Sequence, residues 1–263
     1  MDILPIELIC YIISLSKNKL IRQCNKILYN CYNNTKYIKI KPKTQEQYEL
    51  IPLFKYIDIE NITYDSKYGY LLNNVHTLNL SNTNVKDISM LGNIHTLNLS
   101  NTNVKDVSIL GNVHTLNLSD TNVKDVSMLG NVHTLDLSYT NVIDVSMLGN
   151  VHTLNLSCIE VSDVSMLGNV HILNLCDTAI TDISMLGNVH TLNLSYTKVI
   201  DVSMLGNVHT LDLTYTEVID VSMLGNVHTL IGYYNKQQYP KYNKFGIYIN
   251  IIIFGIIFLK IIQ

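Results

Sequence analysis

Asn74-Val75-His76-Thr77-Leu78-Asn79-Leu80-Ser81-Asn82-Thr83-Asn84-Val85-Lys86-Asp87-Ile88-Ser89-Met90-Leu91-Gly92 is followed by the same 19 residues, little changed, over and over as far as Leu230. All nine histidines of the 263-residue chain keep this step: His76, His95, His114, His133, His152, His171, His190, His209 and His228. A fixed period of this length marks a solenoid, in which each repeat forms one coil and covers its apolar layer with the next.

Within the repeat, Leu78 and Leu80 alternate with polar Thr77, Asn79 and Ser81, the period-two pattern of a short strand with one buried and one wet face. Val75, Val85, Ile88 and Leu91 supply the other apolar side chains, so six residues fill the inside of one flattened coil. Asp87 and its equivalents precede a stretch without strand alternation, where a carboxylate can accept bonds from the free amides of a helical turn. Gly92-Asn93 offers a turn that tolerates positive φ. Met90 and its six methionine equivalents, with Ile109 once in their place, are expected to pack against adjacent coils on the back of the stack, a methionine-lined interaction surface being the alternative. The Thr77, Asn79 and Ser81 columns predict an uncharged, nearly uniform concave face.

The pattern LxxLxLxxTxV followed by DVSxL resembles the leucine-rich-repeat family in its short form, with Thr83 where most members carry asparagine. The resemblance covers roughly residues 72–230 and implies an α/β repeat solenoid with a parallel β-sheet. In that family the asparagine bonds backbone groups inside the turn. A threonine hydroxyl does the same more weakly, and Ile159 interrupts the column, which predicts a looser coil there.

The array begins before the first histidine. Lys36-Tyr37-Ile38-Lys39-Ile40 and Lys55-Tyr56-Ile57-Asp58-Ile59 are 19 apart, and Ile57 precedes Leu78 by 21. Residues 33–73 therefore read as two divergent capping coils, and 74–230 as eight full repeats and a partial ninth. About eleven rungs result, or about 50 Å of stack at ~4.8 Å per strand.

Residues 1–32 have a different character. Pro5 and Glu7 mark a helix start, and Leu8, Ile12 and Leu15 share one face. Leu4, Pro5, Glu7, Leu8, Ile9 and Ile12 resemble the opening LPxELL..I of the F-box family. That resemblance implies binding of a Skp-type adaptor, and through it a cullin ubiquitin ligase, by Leu4, Pro5, Glu7, Leu8 and Ile12. The same segment also reads as a helical cap on the solenoid. Residues 231–263 form a hydrophobic tail, in which Phe245 to Leu259 is apolar but for few residues and the run extends to Ile262 across Lys260. It is borderline for a membrane span, which needs about 20 residues, and equally suits a pair of capping strands.

Composition narrows the function. A formal charge of −3 lacks the basic stripe that nucleic acid requires. Five cysteines without a CxxC pair indicate reduced thiols and a cytoplasmic or nuclear setting, with membrane association if the tail spans. Histidines on parallel rungs project side by side rather than converging on a tetrahedral ion, and no GxSxG, P-loop or paired-carboxylate arrangement occurs. The expectation is a non-enzymatic protein with no metal and no cofactor that holds an unknown protein target, as substrate receptor of a ligase or as a plain interaction solenoid, tail-anchored or not. Contact residues are sought where the repeats differ, at Tyr139, Tyr196, Tyr215, Ile200 and Ile219, because tyrosine combines an apolar body with a polar tip. Stacked histidines should resist protonation, so acid should weaken the fold.

Overall fold

The computed structural model describes residues 75–232 and, as backbone, the strand segments 38–40 and 56–59. The sheet is parallel throughout and its eleven strands follow chain order without a crossover. They are β1 (Ile38–Ile40), β2 (Tyr56–Ile59), β3 (Thr77–Asn79), β4 (Thr96–Asn98), β5 (Thr115–Asn117), β6 (Thr134–Asp136), β7 (Thr153–Asn155), β8 (Ile172–Asn174), β9 (Thr191–Asn193), β10 (Thr210–Asp212) and β11 (Thr229–Ile231). Register steps by one repeat, as Leu78 opposite Leu97 and Leu97 opposite Leu116. The two early rungs join at the expected places, Ile38 opposite Ile57 and Ile57 opposite Leu78.

The six apolar columns are the core. Val75, Leu78, Leu80, Val85, Ile88 and Leu91 are all buried, and every described coil repeats this set with few changes. Burying one leucine is worth about 1.5–3 kcal/mol, and each layer gains it only when the neighbouring coil covers it. After the strand the chain turns, runs past Val85 and Ile88, and closes through a short 3₁₀ turn, as at Ser108–Asn112, Ser146–Leu148, Ser165–Leu167, Ser203–Leu205 and Ser222–Leu224.

The glycine of each coil is there for a different reason from the one its sequence suggests. Gly149, Gly168, Gly206 and Gly225 have φ between −62° and −55°, ordinary right-handed backbone. A β-carbon on Gly111, Gly130, Gly149 or Gly168 would instead come within 2.4 Å of the carbonyl oxygen of the methionine one coil on. The glycine lets adjacent turns approach, which is a demand of stacking and not of φ.

Positive φ occurs elsewhere, three residues after the strand: Asn82, Asn101, Asp120, Tyr139, Cys158, Asp177, Tyr196 and Tyr215 all lie at φ 53–59°. From Asn82 to Tyr196 their amides donate to the next coil, as Asn82 N to Ser100 O at 3.0 Å and Tyr196 N to Thr214 O at 2.9 Å. The residue that follows closes the turn. Thr83, Thr102, Thr121, Thr140, Thr178 and Thr197 donate their hydroxyls to the leucine carbonyl three residues back at 2.6–2.7 Å. The coil with Ile159 is not looser. Cys158 keeps φ 59° and its 2.9 Å bond to Cys176 O, because Ile159 replaces the hydroxyl bond by burying its side chain to 4% exposure.

Candidate interaction surface

Three polar columns recur from coil to coil, two bonding within each coil and one stacking between coils. The strand-end residue folds back on its own chain, as Asn79 Oδ1 accepts from Ser81 N and Asn98 Oδ1 from Ser100 N, each at 2.9 Å. This face is neither uniform nor uncharged. Asp136 and Asp212 take the asparagine position, and both are buried. Asp136 Oδ1 accepts from the amide and hydroxyl of Ser138 at 2.9 and 2.7 Å, and Asp212 Oδ1 likewise from Thr214 at 2.9 and 2.6 Å. Burial holds the Asp136 carboxyl above its usual range, the bonds from Ser138 and Asn155 opposing it.

The aspartate column behaves as the sequence suggests. Asp87, Asp106, Asp125 and Asp144 accept from the amide of the serine two residues on at 2.9–3.0 Å, at the mouth of the 3₁₀ turn. That backbone bond, then the serine hydroxyl, holds each carboxyl below the usual range.

The histidine rings form a continuous stack with centroids 4.3–4.7 Å apart from His76 to His228. Nδ1 sits 3.1–3.3 Å from the hydroxyl of the following threonine in eight coils. His171 precedes Ile172 instead, and its ring tilts 33° from that of His152. Burial, and secondarily the neighbouring imidazoles, hold His114, His133, His152 and His209 below the usual histidine range. Among the described residues no group of three or more His, Cys, Asp or Glu side chains is placed to hold a metal ion.

The variable columns face water. Tyr139, Tyr196 and Tyr215 are exposed, as are Ile143, Ile200 and Ile219. The coil stacking brings Tyr196 and Tyr215 together, with ring centroids 4.7 Å apart. Tyr139 stands apart from that pair, and its phenol is held above its usual range chiefly by a hydrogen bond to Cys158. All three tyrosines occupy the left-handed turn position, where asparagine and aspartate fit and a bulky side chain costs about 1–2 kcal/mol. Strain of this kind persists because the surrounding coil fixes the backbone. The methionines, expected in packing contacts, are exposed: Met128 to Met223 stand 58–64% open because Leu91 and its equivalents take the buried place beside them.

The amino-terminal residues Leu4, Pro5, Glu7, Leu8 and Ile12 and the tail 245–262 lie outside the described residues. No helix among the described residues is long and apolar enough to cross a membrane.

No family model and no curated protein matches the sequence. Solved structures do match the fold. An internalin, InlF, from Listeria monocytogenes aligns with a TM-score of 0.62 at 20% identity, over 74% of this chain and 66% of its own. Internalin C2 of the same organism aligns with a TM-score of 0.54 at 27% identity, over 63% of this chain and 84% of its own. A leucine-rich-repeat protein of Leptospira interrogans aligns with a TM-score of 0.51 at 17% identity, over 71% and 68%. The chain thus spans just under two thirds of the InlF chain. With its 19-residue coils, its leucine ladders and its unbroken parallel sheet, the described array is a leucine-rich-repeat domain.

Proposed function

We propose that the protein is a binding scaffold whose solenoid holds a partner protein on the tyrosine and isoleucine columns of its carboxy-terminal coils. The observation that carries this reading is the placing of Tyr139, Tyr196 and Tyr215, exposed and at positive φ, where the turn itself favours asparagine. Ile200 and Ile219, four residues beyond Tyr196 and Tyr215, are exposed in the same coils. A few rigid aromatic anchors carry much of the energy of protein interfaces. Quantitative affinity capture with the full chain and with Tyr196→Asn/Tyr215→Asn tests it. A partner held by the unsubstituted chain and weakened about tenfold, or ~1.4 kcal/mol, by the double substitution supports the reading. A set of captured proteins identical for both chains refutes it.

The finer reading makes this scaffold a substrate receptor of a cullin-type ubiquitin ligase, with Leu4, Pro5, Glu7, Leu8 and Ile12 recruiting a Skp-type adaptor. Its support is the LPxEL motif ahead of a leucine-rich-repeat array. The test is retention of a purified Skp-type adaptor by the full chain and by Leu4→Ala/Pro5→Ala. Failure of the unsubstituted chain to retain it refutes the ligase role and leaves the scaffold role standing.

A further inference from the structure

One exposed side chain per coil builds an apolar ridge along the closing turns: Met90, Ile109, Met128, Met147, Met166, Met185, Met204 and Met223. Three residues ahead of each stands an aspartate, so a line of carboxylates borders the ridge from Asp87 to Asp220. In the first three coils Lys86, Lys105 and Lys124 accompany those aspartates. From Asp144 on, the lysine position is Ile143, Ser162, Thr181, Ile200 and Ile219, none of which carries a charge. The later coils therefore present methionine beside carboxylates that no lysine of that column accompanies.

The charge balance of the chain is uneven in the same sense. Residues 75–232 carry 14 carboxylates and four lysines, a formal −10, whereas residues 233–263 carry Lys236, Lys241, Lys244 and Lys260 and no carboxylate. Between Lys244 and Lys260 lies the apolar run Phe245 to Leu259. A long exposed apolar strip is costly to leave in water, and methionine-rich surfaces adapt to irregular partners.

We infer that the ridge from Met147 to Met223 is the docking site for this chain's own residues 241–260, with the apolar run over the methionines and the flanking lysines against the aspartates. The lengths agree. Met147 to Met223 crosses four rung spacings, about 19 Å, and fifteen residues span about 22 Å even if helical. Residues 233–240, up to about 26 Å extended, connect the end of the last coil to the ridge. Being tethered, the tail acts at an effective concentration in the millimolar range, which no free partner of equal affinity matches. A second copy of the chain is a poorer occupant, since its ridge brings the same aspartates. The tyrosine column stays open in this arrangement.

Limited peroxide oxidation of the full chain tests the inference, because methionine oxidises in proportion to its exposure. Sulfoxide formation at Met166, Met185, Met204 and Met223, read by peptide mass spectrometry at low ionic strength, is compared in three chains. These are the unsubstituted chain, Lys241→Glu/Lys244→Glu/Lys260→Glu, and Ile252→Asp/Ile256→Asp. None of these substitutions lies in the coils, and circular dichroism verifies that the solenoid is retained. Docking predicts oxidation about fivefold faster in both variants at these four residues, with Met90 unchanged as the internal reference. Equal rates in all three chains overturn the inference and place the tail elsewhere, as an end cap, in a bilayer or on another protein.

Discussion

A β-carbon added to Gly168 would come within 2.4 Å of the carbonyl oxygen of Met185 one coil further on. The obstacle is backbone, which cannot step aside as a side chain does. Gly168→Ala is therefore expected to destabilise the array by about 1–3 kcal/mol, as overpacking does. Gly225, at φ −55° with nothing within 4 Å of such a carbon, is the matched control. Gly225→Ala should be neutral or gain about 0.4–1 kcal/mol through the unfolded chain. Urea unfolding midpoints of the two variants decide it, and equal effects would remove stacking from the account of glycine.

The tyrosines at positive φ predict a trade between stability and binding. Tyr139→Asn restores the residue type the turn prefers and should stabilise by up to about 1 kcal/mol. Tyr196→Asn should gain less, because it also gives up the ring contact with Tyr215, worth about 0.5–1.5 kcal/mol. Thermal unfolding of the two single variants checks the order.

Acid should weaken the fold in two separable stages. His114, His133, His152 and His209 are held below the ordinary histidine value of about 6.5 in the folded chain, so the unfolded chain binds protons first. Their contribution is intact above pH 6.5 and is lost as pH falls through the lower folded values. Asp87 and its equivalents are also lowered, from 3.8, and their contribution disappears only below that value. Unfolding midpoints followed from pH 7.5 to 3 should thus fall in two steps. Replacing the four histidines by glutamine should abolish the first step alone, and a variant that keeps both steps would acquit the imidazole stack.

Asp136 has the opposite sign. Burial raises its folded value above 3.8, so the ionised carboxylate weakens the folded state at neutral pH, and this penalty vanishes once acid protonates it. Asp136→Asn keeps an Oδ1 acceptor for Ser138 and matches the amide at the same place in β5 and β7. It is expected to be more stable than the parent at pH 7 and indistinguishable from it near pH 3, measured by urea titration at the two values.

What the sequence reveals of this fold is what one coil needs from itself and from an identical neighbour. The period, the six buried columns, the eleven rungs with the longer step into Leu78, and the bond from Ser89 N to Asp87 are all written locally, and the structure repeats them. Features set by the path of the chain between coils are less accessible. Gly92 and Asn82 both suit a left-handed turn, and only the closed coil assigns positive φ to Asn82 and close approach to Gly92. Met90 and Leu91 are adjacent and both apolar, and the 3₁₀ turn decides that Leu91 points inward. At the interaction surface the exposure and pairing of Tyr196 and Tyr215 follow from their column, whereas the strain they bear is invisible before φ is known.

The register of the sheet carries a consequence of its own. Leu116 meets Leu135 as Leu135 meets Leu154, with equivalent carbonyls, equivalent buried columns and ring centroids 4.6 Å apart on either side. A coil extruded as a 19-residue loop would let its two neighbours join with nearly all their bonds re-formed, so correct pairing is protected mainly by the entropy of the extra loop and by the odd residues Cys158, Ile159 and Ile172. Gain or loss of a whole unit is equally well tolerated, which makes the number of coils, and with it the reach of the surface, a freely adjustable length.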